Sequence, residues 1–200
     1  MEKTVYFRAF EDEDAIQIHK WKNDDELHKY DIGLNKRTCL EEDLEWVRAR
    51  KRHNPYEAWW AICSISEDKI IGWACLTNIH YINSSANYGG IVIGDKDYQD
   101  GIAWIETYIF VLEYAFERLH LNRLYGTYIV GHPSTTIMAD VAFFKTEGIL
   151  RQSVYKNGCF HDEISAALLS ADYFEHKKNG EYEFKSMMKR LISGRKENRK

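Results

Sequence analysis

Apolar and polar positions in the first half of the chain predict strands and helices in alternation. Residues 5–10 alternate as a strand does, and the acidic run that follows offers caps and favourable dipole charges for a helix. Aromatic and β-branched residues on both sides of the polar turn 66–69 predict a hairpin. The predicted elements are a strand over 5–10, a helix to about Asn23, a helix over 40–52, and strands over 59–64, 70–77 and 88–93.

The pattern changes to a helical period in the second half. Apolar residues recur at helical spacing from Ile102 to Phe116, which places one apolar stripe against a sheet. Residues 124–130 are apolar on both faces, as in the interior of a sheet. Asn157 and Gly158 form a strong hairpin signal between strands 150–155 and 160–168. With a shorter helix from Ser134 to about Thr146, these elements predict an α/β (α+β) fold on a mainly antiparallel sheet.

Size and composition favour one domain and a short tail. A chain of 200 residues with 44% hydrophobic and 29% charged residues can bury one substantial core. We expect a domain over residues 1–173 and a basic tail over 174–200. Phe184, Met187, Met188 and Leu191 give the tail an amphipathic helical pattern. A solvated or partner-packed helix that frays is favoured there over contact with nucleic acid or membrane.

Charge and cysteine usage narrow the choice of partners. The formal net charge of -4 does not suggest a nucleic-acid partner or an anionic membrane, whereas it suits an amine substrate. Four scattered cysteines without a Cys-x-x-Cys pair argue against a zinc site or a disulfide framework, so we expect no metal and a reducing cytoplasm. Because no run of about 18 apolar residues occurs, the chain is expected neither to cross nor to span a membrane.

Several short motifs, in this order, carry a family resemblance. They are Trp21-Lys22-Asn23-Asp24, the block 87–101, Tyr114-Ala115-Phe116 through Leu121-Asn122-Arg123, Glu147-Gly148-Ile149-Leu150-Arg151, Lys156-Asn157-Gly158 and His161-Asp162. Across about residues 5–173 the chain resembles the branch of the GNAT superfamily that includes ribosomal-protein N-terminal and spermidine acetyltransferases. The resemblance implies a sheet of about seven strands, splayed centrally and flanked by helices. It also implies a possible homodimer and acetyl transfer from acetyl-coenzyme A (acetyl-CoA) to a primary amine.

The same resemblance implies a coenzyme site at a glycine loop that opens a helix, where backbone N–H groups hold the pyrophosphate. The family loop is one residue longer than the equivalent here, which carries Asp100 and Trp104 as departures. A main-chain N–H near Val92, on a strand that splays from residues 128–130, would polarise the thioester carbonyl. The alternative is an ordinary core strand followed by a buried helix. The implied coenzyme residues are Ile91, Val92, Ile93, Gln99, Asp100, Gly101, Ile102, Ala103, Trp104, His132 and Thr135.

Side chains for proton transfer are less well marked. The family's usual Asn, Tyr acid and Glu base correspond here to His132, Ala139 and Asn87, so water or Thr135 would have to protonate the leaving thiolate. Tyr128 and His80 are the first candidates for the base, followed by Tyr81 and by His161-Asp162. Each of them has a packed or surface position as its alternative.

The acceptor is expected to bind at the first helices, where aromatic faces and carboxylates can hold a cationic amine. The candidates are Trp21, Asp24, Glu26 and Tyr30, with a solvated helix end as the alternative. The acceptor class stays open among small-molecule amines, polyamines, amino sugars and protein N-termini. A second hypothesis is a degenerate GNAT fold that serves as a binding or regulatory module without activity; Asp100, Asn87, His132 and Ala139 favour it.

Overall fold

A computed structural model describes residues 2–29, 36–131 and 141–197. The seven strands follow the order β1-β2-β3-β4-β5-β7-β6, which confirms a mixed α/β fold on a mostly antiparallel sheet. The described elements are β1 Val5–Arg8, α1 Asp14–Lys22, α2 Leu40–Lys51, β2 Ala58–Ser64, β3 Lys69–His80, β4 Ser85–Ile93, a 3-10 turn Lys96–Tyr98, α3 Ile102–Glu113, a π-helical turn Tyr114–Arg118, β5 Arg123–Ile129, β6 Lys145–Lys156, β7 Cys159–Leu169, α4 Ser170–Lys178 and α5 Phe184–Glu197. None of the helices in these ranges is long and apolar enough to cross a membrane.

The chain folds into two compact units, to each of which β4 and α3 contribute residues. Within the described ranges, the first unit comprises residues 2–29, 36–79 and 89–111, and the second comprises 80–88, 112–131 and 141–197.

The first unit is built on the antiparallel strands β1, β2 and β3. Ser64 pairs with Lys69 at the end of the predicted hairpin, so that prediction is confirmed. Helices α1 and α2 lie where the sequence predicts them, to within one residue of the predicted C-terminal ends. The guanidinium of Arg8 forms a paired salt bridge to the buried carboxylate of Asp14, at 2.7 and 2.8 Å, and so joins the end of β1 to the start of α1. Indole rings, among them Trp21 and Trp73, fill much of the core.

The second unit contains the one pairing that is parallel among those assigned in the described residues. Ser85–Asn87 of β4 pairs with Arg123–Tyr125 of β5, and β5 pairs along its length with β7 in antiparallel fashion. Asn157 (φ 52°) and Gly158 (φ 85°) close the β6–β7 hairpin, in agreement with their predicted turn.

The C-terminal residues belong to the core of the second unit. Phe116 stacks on Tyr173 with ring centroids 4.7 Å apart, while Met187 and Leu191 of α5 are 0% and 3% exposed. The amphipathic helix is therefore confirmed to Glu197, but its apolar face is buried instead of solvated. The predicted boundary between residues 173 and 174 falls inside α4.

One predicted helix ends differently in the structure. The range 134–146 lies partly outside the described residues, but Lys145 and Thr146 already belong to β6, where they pair with Ala167 and Ala166 of β7. The helical end at Thr146 is therefore wrong. Its cause is non-local, because backbone pairing with β7 outweighs the weak local preferences of this segment.

Candidate active site

The segment between β4 and α3 begins in close contact with α1. Gly94 lies directly against the indole of Trp21, so that a side chain at this position would overlap the ring. The N–H groups of Gly94 and Asp95 both donate to the carbonyl oxygen of Ile71, at 2.9 and 3.1 Å. The chain thus leaves β4 along a fixed path.

The rest of this segment, residues 95–101, contains the predicted coenzyme residues Gln99, Asp100 and Gly101 and is called the coenzyme loop after that prediction. The side-chain amide of Gln99 donates to the carbonyl of Ile93 across 2.9 Å, which closes the loop onto the end of β4. Gly101 has a φ of 105°, which a residue with a Cβ adopts only under strain. The predicted residues Ile93, Gln99 and Gly101 are therefore brought together by one tight turn.

The first amide of α3 has an internal partner. The N–H of Ile102 donates to Asp100 Oδ1 at 2.8 Å, a side-chain-to-backbone bond that occupies the first N–H of the helix. Farther along, Ala103 is buried and Trp104 stacks on Tyr108 with centroids 4.8 Å apart. The departure at Trp104 is therefore accommodated by packing along α3.

The backbone at the end of the coenzyme loop fits an anionic ligand, whereas the side chain of Asp100 opposes one. The first turn of a helix presents N–H groups that lack intrahelical acceptors, and the helix dipole favours negative charge there. Gly101 allows a phosphate to approach closely because it has no Cβ. Asp100, however, places a carboxylate on the amide that a phosphate oxygen would use. Binding of a pyrophosphate would require this carboxylate to turn away.

Tyr128 lies on β5 in the second unit, opposite Ile164 of β7. Its side chain is only 8% exposed, and burial raises the pKa of its phenol. The phenol therefore stays protonated at neutral pH. This direction opposes the predicted role as a base and suits a proton donor instead.

His80, the other first candidate for the base, lies at the exposed end of β3. Its Nδ1 accepts the backbone N–H of Asn83 at 3.1 Å. His80 therefore stabilises the turn that follows β3, and its role as a base stays a prediction.

The hairpin candidates are also engaged in local structure. His161 Nε2 lies 3.1 Å from Cys159 Sγ, and Asp162 Oδ1 accepts the N–H of Gln152 at 2.7 Å in the irregular part of β6. Both side chains therefore support the β6–β7 hairpin.

The predicted acceptor residues separate into core and surface. Trp21 is 4% exposed and packs against Trp73, so its assignment as an exposed aromatic face is corrected to that of a core residue. Asp24 accepts the N–H of Glu26 at 3.0 Å and lies 3.5 Å from Lys96 Nζ. The amide of Glu26 and then the charge of Lys96 hold the pKa of Asp24 below its usual value. Asp24 thus lies beside Lys96 of the coenzyme loop, and the side chain of Glu26 is exposed.

Four residues named from the sequence, Tyr30, His132, Thr135 and Ala139, lie outside the described residues. Two others were not anticipated from the sequence. Lys69 and Tyr98 bind the coenzyme loop to the β2–β3 turn through Asp95 and Ser64. No motif marks this pair, because its members lie in separate elements and meet only in the folded chain.

Comparison with known proteins places this geometry in context. A model of the acetyltransferase (GNAT) domain matches residues 4–139. A sequence comparison with curated proteins gave no match. Among solved structures, a spermidine N-acetyltransferase from Vibrio cholerae, in complex with CoA and spermine, superimposes with a TM-score of 0.75 at 23% identity over 86% of this chain and 98% of that chain.

Two further structures show the same fold. A probable acetyltransferase gives a TM-score of 0.73 at 22% identity and covers 86% of this chain and 96% of its own. A GCN5-related N-acetyltransferase from Brucella melitensis gives 0.72 at 16% identity and covers 89% and 81%. At these identities the superpositions establish the fold, while the domain model covers more than half of the sequence. The chain belongs to the acetyltransferase (GNAT) family.

Proposed function

We propose that this acyl-CoA-dependent N-acetyltransferase transfers the acetyl group of acetyl-CoA directly to a primary amine of a small polycation, with the coenzyme pyrophosphate held at the start of α3. The observation that carries the proposal is the glycine turn at Gly101, which follows β4 and opens the long helix. Backbone amides at such a turn are suited to phosphate oxygens. Family membership favours this enzyme over a degenerate binding module.

The polycation is supported by charge and by the structural neighbours. The chain has a formal net charge of -4, and Asp24 supplies a carboxylate beside Lys96 of the coenzyme loop. A neighbour of the same fold is a spermidine N-acetyltransferase in complex with CoA and spermine. Attraction between an acidic surface and a cationic amine increases the local substrate concentration.

Transfer requires a neutral amine, because a protonated nitrogen has no lone pair. An alkylamine has a pKa of about 10.4, so a proton must leave it before it attacks the thioester carbonyl. In this proposal ordered water takes that proton, and a backbone N–H near Val92 stabilises the oxyanion that forms. The nitrogen that has attacked carries one proton more than the amide needs. As the carbon–sulfur bond breaks, that proton passes through water to the leaving thiolate. No step needs a metal.

The proposal also covers the oligomeric state and the cellular location. A homodimer through the β6–β7 hairpin is supported by the exposed apolar side chains Ile149, Tyr155 and Phe160. A cytoplasmic location is supported by four free cysteines, which a reducing compartment preserves.

Calorimetry with acetyl-CoA, followed by an amine panel, tests the proposal. We expect saturable binding below about 1 mM and release of free thiol with spermidine or spermine. A matched panel of an amino sugar and a peptide with a free N-terminus tests the acceptor class. Absence of binding at millimolar acetyl-CoA would refute the enzyme, whereas turnover of the peptide alone would refute the polycation.

A further inference from the structure

The coenzyme loop is joined to the β2–β3 turn by an ion pair. Lys69 Nζ lies 3.0 Å from Asp95 Oδ2 and 2.8 Å from Glu67 Oε2, so one ammonium links a carboxylate on each side. Asp95 also accepts the N–H of Asp97 through its other oxygen at 3.1 Å. The carboxylate at the start of the loop is thus held on both of its oxygens.

A second contact joins the same two segments through a phenol. The hydroxyl of Tyr98 reaches Ser64 Oγ and Glu67 Oε1, both at 2.8 Å. Ser64 is fully buried at the end of β2, so its hydroxyl is a fixed partner. Lys69 Nζ also lies 5.5 Å from the centroid of the Tyr98 ring.

These contacts fasten the loop immediately before its ligand-facing end. Tyr98 precedes Gln99, whose amide is bonded to Ile93, and Gly101 follows two residues later. The backbone N–H groups at Gly101 and Ile102 depend on this path for their direction. A loop that is ordered before binding avoids the entropy cost of ordering during binding.

We propose that Lys69 and Tyr98 are positioning residues that hold the coenzyme loop in its binding conformation before the coenzyme arrives. The inference rests on the proposed function, because it takes residues 95–101 as the pyrophosphate site. Surface ion pairs contribute little to global stability. The effect of these two residues is therefore concentrated on the conformation of the loop and appears in coenzyme affinity.

Tyr98→Phe is the direct test because it removes the hydroxyl and keeps the ring. We expect the KM for acetyl-CoA and the Kd for CoA to rise about three- to tenfold, while kcat stays within about twofold; tenfold corresponds to about 1.4 kcal/mol of binding free energy. Tyr6→Phe is the matched control. The hydroxyl of Tyr6 bonds to Asp68 Oδ1, on the same β2–β3 turn, at 2.5 Å, and in the described part of the chain it forms no hydrogen bond to the coenzyme loop.

A pair of substitutions at Lys69 provides the rescue. Lys69→Met should raise the same KM, and Lys69→Arg should recover most of the affinity because a guanidinium can still bind both carboxylates. Thermal unfolding midpoints of all variants show whether the fold is retained.

Wild-type protein that binds CoA while Tyr98→Phe and Lys69→Met bind it equally well would overturn the inference. Equal KM increases in Tyr6→Phe and Tyr98→Phe would overturn it as well, since the effect would then belong to the turn. Failure of the wild type to bind CoA would instead refute the proposed function and, with it, the site on which this inference rests.

Discussion

Replacement of Asp100 by Asn should tighten coenzyme binding. Asp100 Oδ1 holds the N–H of Ile102 at 2.8 Å, where a pyrophosphate oxygen would be bound. The side-chain oxygen of Asn can accept the N–H two residues along as that of Asp does, so the substitution keeps this bond and removes the negative charge. The wild-type enzyme must move a carboxylate away from an incoming anion, while the variant moves a neutral amide.

The expected gain follows from the distance between the two charges. A phosphate oxygen bonded to this N–H or to the next one would lie about 4 Å from the displaced carboxylate, because both groups would be within hydrogen-bond distance of the first N–H groups of α3. Two unit charges at about 4 Å repel by about 1 kcal/mol in water. Asp100 is exposed, so the aqueous value applies. One to two phosphate charges then correspond to a roughly five- to thirtyfold lower Kd for CoA.

Titration calorimetry at low salt and at about 0.5 M salt measures the effect. The advantage of Asp100→Asn should shrink at high salt, because screening shortens the range of the repulsion. Asp97→Asn is the control, since it removes the same charge from an exposed position of the same loop and does not cap α3. An Asp100→Asn variant that binds CoA no more tightly than Asp97→Asn would refute the competition between the carboxylate and the phosphate.

A further substitution tests helix docking. Asp43→Asn should destabilise the fold by about 3 kcal/mol in urea unfolding at pH 7, since it leaves the ammonium of Lys22 without its buried partner. Burial opposes ionisation of Asp43, but bonds from Lys22, Thr38 and His19 outweigh it and hold the pKa of this carboxyl low. The wild type should therefore be more stable than Asp43→Asn by the full amount above about pH 4, and this difference in unfolding free energy should vanish as the pH falls below that value. A difference that persists in acid would contradict the role given to the Asp43 carboxylate.

Elements that depend on local chemistry were predictable from the sequence. The β6–β7 turn follows from Asn157 and Gly158, which adopt the positive φ that this hairpin requires. The apolar stripe that begins at Ile102 predicts α3, and the acidic run before Asp14 predicts α1. The start of β6 was not predictable, because Lys145 and Thr146 extend only by pairing with β7, which is far along the chain.

The Trp21-Lys22-Asn23-Asp24 motif shows why the site was harder to predict than the fold. Two of its residues, Trp21 and Asp24, are predicted to bind the acceptor, yet the structure buries the indole of Trp21. The ammonium of Lys22 pairs with Asp43. Asn23 exchanges hydrogen bonds with the backbone of Thr38, at 3.1 and 3.2 Å. An indole or an ammonium can pack in a core, join two helices or contact a ligand. Which of these it does depends on the residues that the fold places around it, so the residue type alone does not predict the role. Of the four residues, only Asp24 keeps a position from which it can attract an amine.

Contacts within and around the coenzyme loop explain how the fold accommodates its departures from the family pattern. A loop shortened by one residue can adjust less to the shape of a pyrophosphate. Before any ligand binds, the side chain of Asp100 already accepts the N–H of Ile102. A bound anion must displace that carboxylate without disordering the turn. The contacts of Lys69 and Tyr98 meet this requirement, because they fix residues 95–98 independently of the Asp100 side chain. In the proposed function, the affinity for the coenzyme therefore depends on two opposed features of one short segment: a rigid backbone favours binding, and the carboxylate of Asp100 opposes it.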